Sequence, residues 1–392
     1  MKSLDQKIAA IHADPHGCRE FILADAKDAD MAFGIGAPGK SPERHDAEVR
    51  FRTLAEYREQ MRLIARQGLV DILLMSASTA EVLVMQERIF DGSHITPAVR
   101  ANDATDVHAM RGSRIPEQPA RPFRTATIDH AQCGHLDCDP DERSQGVDLG
   151  LYSVTFNNDV DLDRETLLAY NEFREEAERK GFRHFLEVFN PNQPGVIRNG
   201  RIGEFLVDAV ARTLAGVTSA GRPLFLKLAY PGPGPLEELV AYDPHLVVGI
   251  LGGSAGTTRD AFQLLHDARK YGAKVALFGR KINQAENQLA FIEFLRLIAD
   301  GLLDPAEGVR AYHGVLQKLG IAPHRTLEDD LTVTTQGMSY AAPPSPSPVS
   351  SVPAVSNSTP QSVRQVSAST SEPAPRFADM SAAERLAYHR DR

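Results

Sequence analysis

Lys227 stands in the middle of the apolar run at 222–235, RPLFLKLAYPGPGP, where packing alone gives no reason for an ammonium. A short apolar run that ends in a Pro/Gly cluster reads as a buried parallel strand leading into a loop. Burying a cation there is costly unless it is paired or gives up its proton. Two chemistries follow. Paired with a carboxylate on the next strand, for which Glu187 is well placed, Lys227 is a structural ion pair. Desolvated and neutral, it is a nucleophile that attacks a carbonyl and forms a Schiff base, whose electron demand lets the neighbouring C–C bond break or form.

Imine chemistry needs a proton shuttle within hydrogen-bond reach, both to dehydrate the carbinolamine and to serve the C–C step. Asp25 is the first candidate and Glu187 the next; Tyr152 and Tyr230 are weaker, because tyrosines near strand ends commonly just pack. Asp25 has a competing reading, as a loop cap or a partner of Lys27. Gly252-Gly253-Ser254 and Gly279-Arg280 close two successive strands. Glycines there let backbone N–H groups approach an anion, and an arginine adds a bidentate donor. Either pair alone is a turn; the two in succession point to a phosphate site, with Arg100 on the same rim. His130, Cys133, His135 and Cys138, in DHAQCGHLDCD, are zinc-ligand types at close spacing. The spacing fits no standard finger, and no further pair follows, so the loop is assigned no metal.

These residues require elements that bring them to one place. Helix at 4–12, a strand at 20–25 ending in Asp25, a Gly/Pro-rich loop at 34–42 and a helix at 53–67 stopped by Gly68 form a first unit. Strands then read at 70–76, 95–99, 149–156, 184–189, around Lys227, at 245–251 and at 274–278. Helices read at 78–90, 163–180, 203–215, 235–241, 258–271 and from 288 onward. About eight strand–helix units over roughly 300 residues are what a (β/α)8 barrel requires. A doubly wound open sheet is less suitable, since no Gly-rich dinucleotide turn follows the first strand. In a barrel, Asp25, Arg100, Glu187, Lys227, Gly252 to Ser254, Gly279 and Arg280 share the rim at the carboxyl ends of the strands, and the loops after strands seven and eight are the usual phosphate site. Residues 102–147, before strand four, break the pattern and read as an insertion covering that rim.

Composition narrows the partners. The 392 residues carry a net charge of −9, with 42% hydrophobic and 24% charged, which suits an ordinary globular protein and argues against nucleic acid or an anionic membrane as partner. No run of about 18 apolar residues and no secretory leader is visible, so a cytoplasmic location is expected. Three cysteines suggest reduced thiols rather than a disulfide framework. From about residue 337 the chain turns to Pro, Ser and Val, too poor in large apolar side chains to fold. The expected domains are a barrel at 1–335, a disordered linker at 336–376 and a short helix at 377–392. That helix opens with the capping pair Ser381 and Glu384, and it is suited to docking on another protein.

The stretch LFLKLAYPGP followed by GILGGSAGTTRDAFQLLHDARKYGAKVALFGRKINQ resembles the last three βα units of class I, Schiff-base aldolases, in particular the archaeal-type fructose-bisphosphate and deoxyribose-phosphate aldolase superfamily. The clear match covers residues 224–284. The resemblance implies that Lys227 forms the imine, that Gly252-Gly253 and Gly279-Arg280 hold the substrate phosphate, and that Asp25 is the aspartate ending the first strand. It implies no metal or organic cofactor, and a homo-oligomer. The family's strand-four tyrosine is replaced, with Thr155 near its position and Tyr152 offset. The expectation is therefore an aldolase acting on a phosphorylated sugar or related carbonyl compound. The alternative is a non-catalytic sugar-phosphate-binding barrel in which Lys227 is structural. The Pro/Ser linker and terminal helix resemble the encapsulation peptides of bacterial microcompartments, which would place the helix on a shell protein.

Overall fold

The apolar runs close on one another through their alternation. A computed structural model describes residues 1–40, 51–107, 110–253 and 256–334; the linker, the terminal helix and Ser254 lie outside them. Eight parallel strands form a closed barrel: β1 (Ile22–Lys27), β2 (Ile72–Met75), β3 (Thr96–Arg100), β4 (Leu149–Thr155), β5 (Arg183–Phe189), β6 (Leu226–Leu228), β7 (Gly249–Gly252) and β8 (Val275–Phe278). They neighbour one another in chain order, and β1 pairs with both β2 and β8, which rules out an open sheet. The fold is the (β/α)8 barrel expected.

Successive side chains on a strand face opposite sides. Ile22, Ala24, Leu151, Phe185, Phe225 and Leu277 belong to one interior cluster. The residues between them, such as Leu23, Leu186, Leu226 and Phe278, pack with helix side chains in an outer layer. Leu4 and Ile11 of α1 (Ser3–Ala13) join the interior cluster and so close its amino-terminal end. The carboxyl end is left for chemistry.

Local signals fix the helices. Thr53 and Glu56 form a capping box at the start of α2 (Leu54–Gln67), and Gly68 ends it at φ 71°, where a residue without Cβ avoids strain. The outer ring continues with α3 (Val160–Arg179), α4 (Ile202–Ala215), α5 (Pro233–Tyr242) and α6 (Thr258–Lys270), the last opened by a Thr257/Asp260 capping box. Two departures from the expected elements appear. The segment read as one helix at 78–90 is an α turn, Ala77–Ala80, followed by a wider π turn, Glu81–Gln86. The helix read from 288 onward is two, α7 (Gln288–Ala299) and α8 (Pro305–Leu319). Asp304 caps α8 and Pro305 opens it, where a missing N–H costs nothing.

The insertion is ordered where it is described. Asp103–Ala104 pairs antiparallel with Pro122–Phe123, and a short helix spans Ile128–Cys133. Ala104 and Val107 pack with Phe189, Ala229 and Leu251, residues at the carboxyl ends of β5, β6 and β7. The insertion thus covers part of the barrel mouth. Cys133 and Cys138 form a disulfide, contrary to the reduced thiols expected, and Cys18 is free. Gly134, at φ 86°, turns the chain back after the helix and brings the two Cα atoms to 6.1 Å. Among the described residues no helix is long and apolar enough to cross a membrane.

Candidate active site

Register builds the site. Ser153 on β4 is paired with Glu187 on β5, and Glu187 with Lys227 on β6. All three lie in step with the interior residues Leu151, Phe185 and Phe225, so they point into the barrel one layer above its apolar filling. Arg100, in step with interior Ala98 on β3, joins them.

Lys227 Nζ lies 2.5 Å from Glu187 Oε1, although Oε1 has no aligned hydrogen bond. Glu187 Oε2 accepts from Ser153 Oγ at 2.7 Å and from Arg100 Nη2 at 3.5 Å. Arg100 also donates from Nε to Asp28 Oδ2 at 2.5 Å and from Nη1 to Ser153 Oγ at 3.1 Å. Asn102 ties the exit of β3 to β4, its amide donating to Ser153 O at 2.8 Å and accepting from Ser153 N at 2.6 Å. Two cations and two carboxylates thus balance in a space largely shielded from water, Glu187 being fully buried and Lys227 4% exposed. Low dielectric strengthens every charge interaction there.

The same cations face a cavity at the carboxyl end. Asp28, Arg100, Lys227, Gly252, Gly279 and Arg280 line it. Arg280 lies over the Phe33 ring at 5.2 Å. Packing demands glycine at both strand ends: a Cβ at 279 would stand 2.5 Å from the Ala26 carbonyl oxygen, and one at 252 would stand 2.1 Å from the Phe278 ring. These close approaches carry the ends of β7 and β8 to the cavity wall. Lys281 reaches back to the loop after β7, donating to Gly256 O at 2.8 Å; burial lowers its pKa to about 8.

Of the residues singled out in the sequence, Arg100, Glu187, Lys227, Gly252, Gly279 and Arg280 come together. Gly253 is buried beside Gly252, and Ser254 is outside the described residues. Asp25 does not join them. It shares the outward face of Leu23, beside Lys27, whose Nζ is 3.3 Å from its Oδ2. Lys27 also donates to Asn283 and, at 2.9 Å, to Gln288, so the pair is enclosed behind β1 and the competing ion-pair reading holds for Asp25. Burial raises the Asp25 pKa to about 6 against the opposing pull of Lys27, and burial lowers that of Lys27. Tyr152 also faces outward, stacked on Phe173 at 4.5 Å, and Tyr230 packs at the edge of the outer core.

Two inward residues carry weaker marks in the sequence and were not expected. Asp28 lies just beyond β1, and continuing the alternation of Ala24 and Ala26 points to it. Asp106 comes from the insertion, where no periodicity marks it. The Cys/His cluster is also resolved: Cys133, His135 and Glu142 offer donor atoms within 4.8 Å of one another, and His130 is not among them. While Cys133 is bonded to Cys138 its sulfur is not a thiolate, the form a metal binds.

No protein-family model and no curated protein matches this chain. Among solved structures, an archaeal fructose 1,6-bisphosphate aldolase superposes with a TM-score of 0.53 at 16% identity, over 76% of this chain and all of its own (100%). Fructose-bisphosphate aldolase from Slackia heliotrinireducens superposes with a TM-score of 0.56 at 15% identity, over 83% of this chain and 94% of its own. A third structure, an archaeal fructose-1,6-bisphosphate aldolase whose catalytic lysine is bound to a carbinolamine intermediate, gives 0.54 at 16% identity, over 76% and 100%. At these identities the likeness is one of fold.

Proposed function

We propose that this chain is a Schiff-base aldolase acting on a phosphorylated sugar or related carbonyl compound, with Lys227 as the nucleophile. One observation carries the reading: Lys227 points into the barrel and borders a cavity shared with Asp28, Arg100 and Arg280. A lysine kept only for packing has no need of a cavity ringed by further cations. A neutral amine there adds to a carbonyl carbon; Glu187, at 2.5 Å, takes the ammonium proton beforehand and returns one to the departing hydroxyl of the carbinolamine. Arg280 supplies the charge that a phosphate or carboxylate needs at the far wall. The fold shared with aldolases that use a lysine in this way supports the same reading by analogy.

The alternative is a sugar-phosphate-binding barrel without turnover, favoured by the short Lys227–Glu187 contact, which would then be a permanent ion pair. Borohydride with dihydroxyacetone phosphate, glyceraldehyde 3-phosphate and pyruvate separates the two. The aldolase reading expects a covalent mass increase that needs both carbonyl compound and borohydride. Ligand-induced thermal stabilisation with no covalent adduct across the panel supports the binding reading instead.

A further inference from the structure

Thr155 faces into the barrel in step with Ser153 and is paired laterally with Phe189. A threonine hydroxyl is too weak an acid to drive a C–C step. It does not stand alone, however. Thr155 Oγ1 donates to Asp106 Oδ2 at 2.9 Å, and Asp106 belongs to the insertion rather than to the barrel.

Three observations bear on Asp106. Its near neighbours Ala104 and Val107 pack on Phe189, Ala229 and Leu251, and Leu251 lines the same cavity as Lys227, so the segment is seated over the mouth. Its Oδ1 is sealed from solvent and has no aligned hydrogen bond, although the backbone N–H groups of Asp106 and Val107 also bear on the carboxylate, so it keeps the capacity to accept from a group that arrives. Burial lifts its pKa to about 6 against the opposing hydrogen bond from Thr155, with a smaller push from the charge of Glu187, near the range a proton shuttle at neutral pH requires.

We infer that Asp106 is the proton donor and acceptor for the C–C step, supplied by the insertion and oriented by Thr155. This rests on the imine reading of Lys227 and divides the proton work between two carboxylates. Glu187 serves the nitrogen end, where water enters and leaves. Asp106 serves the carbon end. In cleavage its carboxylate takes the proton of the substrate hydroxyl as the C–C bond breaks; that bond's electron pair flows to the iminium nitrogen, giving an enamine and releasing an aldehyde. Asp106 then returns the proton to the enamine carbon, regenerating the iminium for hydrolysis. Protons and electrons balance without a further reactant.

The test uses the full chain, with Asp106→Asn, Asp106→Glu and Thr155→Val variants. Imine formation is read by borohydride trapping on Lys227 with whichever of dihydroxyacetone phosphate, glyceraldehyde 3-phosphate or pyruvate traps the wild type. The proton step is read by NMR, as exchange of the α C–H of that compound with D2O. The expected result is trapping within about twofold of wild type in Asp106→Asn, with exchange slower by about 100-fold, a typical general acid–base contribution. Asp106→Glu should recover part of the exchange, and Thr155→Val should show an intermediate rate. Unchanged exchange in Asp106→Asn overturns the assignment, as does a parallel loss of trapping and exchange in Asp106→Asn that Asp106→Glu leaves uncorrected, which marks a structural role. Failure of the wild type to trap any of the three compounds overturns the imine reading itself, a distinct outcome.

Discussion

Among the described residues two lysine–carboxylate pairs are fully enclosed, Lys27 with Asp25 and Lys227 with Glu187, and their fates differ by the face of the strand they occupy. Lys27 and Asp25 point outward and are closed in by Asn283 and Gln288. Lys227 and Glu187 point inward, toward the cavity. Removing Lys227 leaves Glu187 buried with the longer Arg100 contact and the Ser153 hydroxyl against its charge. Lys227→Met should therefore destabilise the fold by about 3 kcal/mol, and adding Glu187→Gln should restore most of it; chemical denaturation measures both. Lys227 and Glu187 were legible in the sequence because each interrupts an apolar strand whose period is plain. Asp25 misled because β1 runs to Lys27 rather than stopping at residue 25. Those two extra residues put Asp25 inside the strand on its outer face, and leave Asp28 as the acid at the mouth.

At the scale of elements, the layer between β5 and α3 holds a buried titratable group on the outer face of the barrel. His184 faces outward from β5, shares a hydrogen bond with Tyr170 at 2.9 Å and meets Phe173 edge-on. Burial depresses its pKa from 6.5 to about 3. The unfolded chain therefore binds a proton more readily than the fold, and His184 contributes stability that is whole above about pH 6.5 and drains away as pH falls toward 3. In His184→Gln that slope should vanish, so the stability gap between wild type and variant should narrow on acidification; thermal unfolding across this range checks it. The order of strands and helices was legible because alternation and capping pairs such as Thr53/Glu56 are local. The π turn at Glu81–Gln86 was not, since an apolar periodicity does not distinguish one extra residue per turn. The glycines at 252 and 279 read as anion-binding turns, yet each is also required by a neighbour in contact, Phe278 and Ala26, which only the assembled barrel reveals.

At the scale of the molecule, the barrel was legible and the insertion was not. Residues 102–147 lack a repeating apolar pattern because the ribbon described there is two residues long on each side and the helix is short; Ala104 and Val107 are seated on the barrel mouth, and the Cys133–Cys138 bond ties the chain after the helix. That bond closes a loop of about six residues, and chain entropy assigns it about 2 kcal/mol. Cys133→Ser/Cys138→Ser should lose that amount, dithiothreitol should cost the wild type a similar amount, and the double variant should be indifferent to the reductant. The insertion also makes the site a product of two parts of the chain: β3 to β8 supply the cations and Glu187, while the cover supplies Asp106. The central claim remains that Lys227 becomes covalent with a carbonyl substrate. It is tested most directly by tandem mass spectrometry of the protein reduced with borohydride in the presence of dihydroxyacetone phosphate, glyceraldehyde 3-phosphate or pyruvate. The account predicts one adduct, on the peptide carrying Lys227, and none on those carrying Lys27 or Lys281. An adduct on another lysine, or none with any of the three, would contradict it.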